Sequence, residues 1–181
     1  RRHGGYLRAE DLAAYHPEWV EPLSVTYKGY QVWELPPNGQ GLVVLMALNL
    51  LKEFQFETRD SAETFHKQIE AMKLAFADGL HHITQRNLMT VSPESLLEEA
   101  YARKRRSQIG KTASLPEAGM LPQGGTVYLA TADGEGNMVS FIQSNFMGFV
   151  SGIVIPGTGI ALHNRGHSFS LDPNHANALA P

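Results

Sequence analysis

Between Ala113 and Gly125 the chain carries Pro116, Gly119, Pro122, Gly124 and Gly125 and no hydrophobic period, and the patterning differs on its two sides. Before this break apolar residues recur mainly at helical spacing; after it they fall in short β-rich runs. A chain divided in this way is expected to pack helices beside an antiparallel sheet, an α+β or layered α/β architecture. The break itself reads as an exposed, mobile and cleavable connection.

The helical side opens with a hairpin. Val25, Tyr27, Tyr30, Val32 and Trp33 are β-formers on either side of Lys28-Gly29, so Ser24 to Leu35 is expected to fold back on itself until Pro36-Pro37-Asn38-Gly39 ends it. Gly41 to Phe54 is apolar around nearly its whole helical circumference, the mark of a helix buried between layers. Asp60 with Glu63 resembles an N-capping pair, and Phe65, Ile69, Met72, Phe76 and Leu80 then form one apolar stripe, which predicts a long amphipathic helix. Ser92-Pro93 predicts a further helix start, with Arg103 to Arg106 as a solvated face that suits its C-terminal end.

Beyond the break, Thr126 to Ala132 and Asn137 to Ser144 are strand-like runs joined by Asp133-Gly134-Glu135-Gly136, a turn between antiparallel strands. A second strand pair is expected across Ile153 to Leu162. The chain begins Arg1-Arg2-His3-Gly4-Gly5 and stops at Ala180-Pro181, so it reads as a piece of a longer polypeptide.

Composition narrows the function. A formal charge of −3 is too weak and too mixed to favour nucleic acid or anionic lipid. The absence of Cys excludes disulfides, thiolate zinc sites and a cysteine nucleophile, and the apolar stretch Leu42 to Leu48 is far short of the roughly 18 residues a membrane helix needs. His163, His167 and His175 have spacing that invites a metal, but Asn164, Arg165 and Gly166 read as loop and no carboxylate cluster lies nearby, so no metal is expected. His81-His82 is expected to satisfy carbonyls at a helix end. Gly134-Glu135-Gly136 and Gly157-Thr158-Gly159 lack the third glycine of a dinucleotide fingerprint, and no Gly-x-Ser-x-Gly elbow occurs.

Gly124-Gly125-Thr126 remains. On the residues alone Thr126 is a β-branched residue opening a strand. It becomes a nucleophile if its own α-amine is freed, because that amine is held beside Oγ and can take its proton.

The run from Thr126 through Asp133 to Asn137, followed by Gly152-Ile153-Val154 and Gly159-Ile160, resembles the start of the small subunit in the gamma-glutamyltranspeptidase family. Upstream, Gly4-Gly5-Tyr6, Tyr27-Lys28-Gly29-Tyr30, Pro36-Pro37 and Ala75-Phe76-Ala77-Asp78 are similar to the end of that family's large subunit. The resemblance implies a fragment of an N-terminal-nucleophile hydrolase, a layered αββα sandwich made as a precursor that cuts itself. Residues 1–125 would then belong to the large subunit and 126–181 to the small one, with Gly125-Thr126 as the bond cut. A glycine before the threonine leaves Oγ unobstructed.

By the same resemblance Thr126 would attack a γ-glutamyl amide of the glutathione type, form an acyl-enzyme, and pass the acyl group to water or an amine. Ser144 stands where the family has a second hydroxyl beside the nucleophile. Phe146 stands where the family has an asparagine, with Asn145 one residue early. Where the family has an acidic residue for the substrate ammonium, this chain has Ser168, with Arg165 three before it; an arginine there favours a carboxylate over an ammonium.

An N-acyl amidohydrolase of the cephalosporin-acylase type is therefore the alternative activity, and a non-catalytic binding or assembly module the alternative of another class. No cofactor is expected. The expected partners are a small amide and the remainder of the protein's own two subunits, without which the piece is expected to be inactive. The resemblance also implies a periplasmic or extracellular location, with the cytoplasm as the alternative.

Overall fold

The computed structural model describes residues 8–116, 126–147 and 151–179. Gly4-Gly5-Tyr6, the linker residues Gly119, Pro122, Gly124 and Gly125, and the terminal Ala180-Pro181 lie outside the described residues. A short helix, α1 (Ala9–Ala14), is exposed throughout, and Asp11 accepts from the Arg8 N–H at 2.7 Å at its start.

Strands β1 (Leu23–Tyr27) and β2 (Tyr30–Glu34) form the first antiparallel hairpin, with Val25 opposite Val32 and Tyr27 opposite Tyr30. Its two turn residues, Lys28 and Gly29, both have positive φ, 50° and 86°, the mirror-image turn whose twist matches the strands. Helix α2 (Gly41–Leu51) follows and is buried on most sides, with Leu42 and Leu45 fully enclosed.

Helix α3 (Ala62–His82) corrects two expectations. Its cap is Ser61 and not Asp60, because the Ser61 hydroxyl accepts from the Thr64 N–H at 3.1 Å. The N-terminal part of the apolar stripe turns outward, leaving Phe65, Ile69 and Met72 exposed, while Phe76 packs against the core beside Ala71, Leu74, Ala75 and Ala77. Small residues mark the contact because α2 comes close: a Cβ on Gly79 would lie 2.6 Å from Val43 Cγ2. Residues too small to signal a core by hydrophobicity are what allow the two helices to meet.

The segment after Ser92 also differs from expectation. Ser92 does cap, accepting from the Ser95 N–H at 3.1 Å, but only a 3₁₀ turn, Ser95–Leu97, forms there. Glu98 is extended, and α4 begins at Glu99 and ends at Arg106. Buried Asn49 takes the Leu97 carbonyl at 2.8 Å, so a tertiary hydrogen bond serves a group that a continuous helix would have used itself.

The basic run on α4 is not simply a solvated face. Arg106 donates to the carbonyls of Asn49 and Leu50, both at 2.8 Å, and so caps the C-terminal end of α2. Arg105 grips Asp78 on α3 through Nε at 2.9 Å and Nη2 at 2.8 Å. Burial pushes the Tyr101 hydroxyl up to about 12, and the neighbouring Asp78 carboxylate adds to the effect. At the end of α3 the Ile83 N–H takes the Gly79 carbonyl at 2.9 Å, while His81 and His82 pack edge to face.

The first described residues of the linker are exposed, and Ser114 among them is tied to helix α3. Glu70, 2% exposed, accepts from Lys73 at 2.5 Å and from the Ser114 hydroxyl at 2.6 Å and N–H at 3.2 Å. Burial alone would raise the Glu70 carboxyl, yet these bonds outweigh it and lower the pKa to about 2.

Strands β3 (Thr126–Ala132) and β4 (Met138–Ser144) form the second hairpin. After it Val154 and Ala161 make a single antiparallel bridge where a strand pair was expected. Positive φ at Gly157 and Gly159 tightens this loop, and Pro156 has no N–H for a ladder. None of the described residues between 128 and 179 is buried. Among the described residues no helix is long and apolar enough to cross a membrane.

Candidate active site

The site grows from the register of the second hairpin. Asp133 Oδ1 accepts from the N–H groups of Glu135 and Asn137 at 2.9 and 3.0 Å, and Gly136 takes a φ of 88° that its missing Cβ permits. Bonds from the Asn137 side chain and backbone lower the Asp133 pKa. This turn sets Ala132 opposite Met138, and the ladder then runs without a bulge to its far end, where Thr126 is opposite Ser144. The first residue of one strand and the last of the other, far apart in sequence, are thus neighbours in space.

Directly after Ser144 the chain turns a corner. Phe146 has a φ of 84°, a left-handed conformation that is a genuine outlier for an aromatic residue. On the Ser144 side of that twist the Phe146 N–H donates to Ser144 Oγ at 3.0 Å. Asn164 holds the next residue by both backbone groups: its Oδ1 accepts from the Met147 N–H and its Nδ2 donates to the Met147 carbonyl, each at 2.9 Å. The Asn164 N–H donates to the Asn145 carbonyl at 3.2 Å, and Arg165 Nη2 to the Ser144 carbonyl at 3.0 Å.

Of the residues singled out in the sequence, Thr126, Ser144, Asn145 and Arg165 therefore meet at one end of the hairpin. Asn145 lies just past the end of β4 and contributes its carbonyl to the corner. Ser168 closes the 3₁₀ turn that Arg165 opens, and its carbonyl accepts from Asn177 Nδ2 at 2.9 Å. Gly125 lies outside the described residues.

The histidines tie loops. His163 Nδ1 accepts from the Arg165 N–H at 3.2 Å and His175 Nδ1 from the Asn177 N–H at 3.0 Å. Among the described residues no group of three or more His, Cys, Asp or Glu is assembled to hold a metal ion. Asn164 is the residue that sequence reasoning passed over: a lone asparagine between a hairpin and a 3₁₀ turn carries no motif, and only the fold brings its amide to Met147.

Comparison with known proteins bears on the same geometry. The family model of gamma-glutamyltranspeptidase matches residues 1–181. The chain belongs to the gamma-glutamyltranspeptidase family. It is 38% identical to the glutathione hydrolase-like YwrD proenzyme of Bacillus subtilis, covering 100% of this chain and 35% of that protein. It is also 38% identical to the oxamate amidohydrolase proenzyme of Klebsiella pneumoniae, over 94% of this chain and 32% of that one.

Among solved structures, the cephalosporin acylase from Bacillus halodurans superposes with a TM-score of 0.82 and 64% identity, covering 99% of this chain and 33% of the other. The chain thus spans about a third of the length of these family members. Its fold class is the α+β N-terminal-nucleophile hydrolase of the family, in part.

Proposed function

We propose that this chain carries the nucleophile region of a self-cleaving threonine amidohydrolase or acyltransferase that acts on N-acyl amides. The observation that carries the reading is the register that sets Thr126 opposite Ser144, immediately after the Gly124-Gly125 pair, in a chain of this family. In the first step Thr126 Oγ attacks the carbonyl carbon of Gly125, the C–N bond breaks, and the acyl group moves from nitrogen to oxygen. Water then hydrolyses that ester, which leaves a carboxylate on Gly125 and a free α-amine on Thr126, with residues 1–125 on one subunit and 126–181 on the other.

Turnover uses the liberated amine. It takes the Oγ proton as Oγ bonds to the substrate's carbonyl carbon, and the proton passes to the leaving amine as the C–N bond breaks. Water, or a second amine, then attacks the Thr126 ester and releases the acyl group. Ser144, opposite Thr126 in the ladder, is the proposed hydroxyl partner of the nucleophile.

The acyl group we favour bears a carboxylate and no ammonium. Arg165 brings a permanent positive charge to the Ser144 carbonyl, which repels an ammonium and attracts an anion, and Ser168 adds no negative charge to offset it. The 64% identity to a structure described as a cephalosporin acylase supports the same direction, while the 38% identity to a glutathione hydrolase-like proenzyme keeps a γ-glutamyl amide as the second reading. Arg165 and Ser168 are the proposed acyl-binding residues.

The test compares γ-glutamyl and glutaryl anilides in the full-length protein, with Thr126→Ala as control. The expected result is faster release from the glutaryl compound and none from either substrate in the variant. Clear preference for γ-glutamyl would reverse the acyl assignment, and wild-type rates in Thr126→Ala would remove the mechanism.

A further inference from the structure

We infer that Asn164 is a positioning residue for the Ser144–Thr126 pair, holding Phe146 in a left-handed conformation whose N–H fixes the Ser144 hydroxyl; the inference rests on the reading of Thr126 as nucleophile. An aromatic residue at a φ of 84° is strained and persists only where its surroundings over-determine it. Asn164 supplies that determination. Its carboxamide holds both backbone groups of Met147, donating to the carbonyl and accepting from the N–H, each at 2.9 Å. Its own N–H holds the Asn145 carbonyl at 3.2 Å, so one residue grips the chain on both sides of Phe146.

The consequence falls on Ser144. A serine hydroxyl rotates unless something selects its direction, and here the Phe146 N–H occupies one lone-pair direction of Oγ at 3.0 Å. With that direction taken by a donor, the hydroxyl proton is turned elsewhere, and the ladder sets Ser144 opposite Thr126. In a relaxed corner the Asn145–Phe146 peptide, which carries that N–H, would turn and Ser144 Oγ would lose this donor. Asn164 therefore acts on the reaction through two intermediaries and has no need to touch substrate.

A double-mutant cycle in the full-length protein tests the proposal, using Asn164→Ala, Phe146→Gly and the pair, with Thr126→Ala as control. Glycine adopts positive φ without strain, so a corner with Gly at 146 depends less on the clamp. The expected result is a tenfold or greater fall in kcat for Asn164→Ala with KM changed less than threefold, and slower release of the two subunit fragments. The same Asn164→Ala change made in the Phe146→Gly background should lose several-fold less.

Thermal unfolding reads any general loss of structure separately, and Asn164→Asp, which keeps an acceptor for the Met147 N–H and loses the donor, should fall between wild type and Asn164→Ala. Equal losses from Asn164→Ala in both backgrounds, a loss confined to KM, or wild-type kcat in Asn164→Ala would each overturn the inference. Should Thr126→Ala process and turn over like wild type, the nucleophile reading has failed instead, and the two failures are distinct.

Discussion

Residues 23–109 and residues 126–179 are built from similar proportions of apolar side chains, yet among the described residues only those of the first region are enclosed. Leu42, Leu45, Ala71 and Ala75 are buried between the first hairpin and helices α2 to α4. In the second region Tyr128, Phe141 and Ile142 are each more than half exposed. Register partners Tyr128 and Ile142 lie on one face of that hairpin, and Leu129 and Phe141 on the other, so both faces carry large apolar groups. A surface strand pair alternates apolar with polar; one that is apolar on both faces is made to lie between two layers. The difference teaches that the helical region carries its own core, while the region bearing the proposed nucleophile is shaped for burial by other parts of a sandwich.

The largest expected break in the comparison is Leu45→Ala in the 181-residue chain. It should cost about 2–5 kcal/mol by denaturant unfolding, because the removed methyls leave a cavity between α2 and its neighbours. Acid comes next. Since folding lowers the Glu70 pKa from 4.5 to about 2, its contribution is complete above pH 4.5 and is lost as pH falls toward 2. Bonds to Lys73 and Ser114 make that contribution a few kcal/mol by linkage, on the order of 1.4 kcal/mol per unit. Glu70→Gln should flatten this part of the stability-versus-pH curve, and an unchanged curve would show that the tie from Ser114 to Glu70 contributes nothing.

Gly79→Ala should destabilise by about 1–3 kcal/mol, as the new methyl meets Val43 at the tight crossing of α2 and α3. Full stability in that variant would mean that the helices do not meet as described. Smallest of all is Phe141→Ala, expected within about 0.5 kcal/mol of wild type in the 181-residue chain, since the ring is half exposed there. In the full-length protein the same change should cost several-fold more. Equal effects in the two contexts would remove the claim that other layers cover the hairpin.

How much of this was legible in the sequence depended on what each feature needed. Hairpin turns at Lys28-Gly29 and Asp133–Gly136 were readable because backbone chirality and local side-chain acceptors decide them within a few residues. The buried character of α2 was readable from its unbroken apolar content. The facing of α3 was not, because Ala71, Ala75 and Gly79 carry little hydrophobic signal and the conspicuous Phe65, Ile69 and Met72 point outward. Arg105 and Arg106 looked like solvent-facing charges, and only the tertiary fold reveals the carboxylate and carbonyls they serve. At the site, Thr126, Ser144 and Arg165 were named from family resemblance. Asn164 was missed as a functional group because its role consists of contacts to a peptide distant in sequence.

The central claim is that the peptide bond before Thr126 is cut by the threonine it precedes, and intact-mass analysis of the full-length protein tests it most directly. The account predicts two fragments in wild-type material, one ending at Gly125 and one beginning at Thr126, and a single uncut chain in Thr126→Ala. Active wild-type protein whose mass shows that bond whole would contradict it.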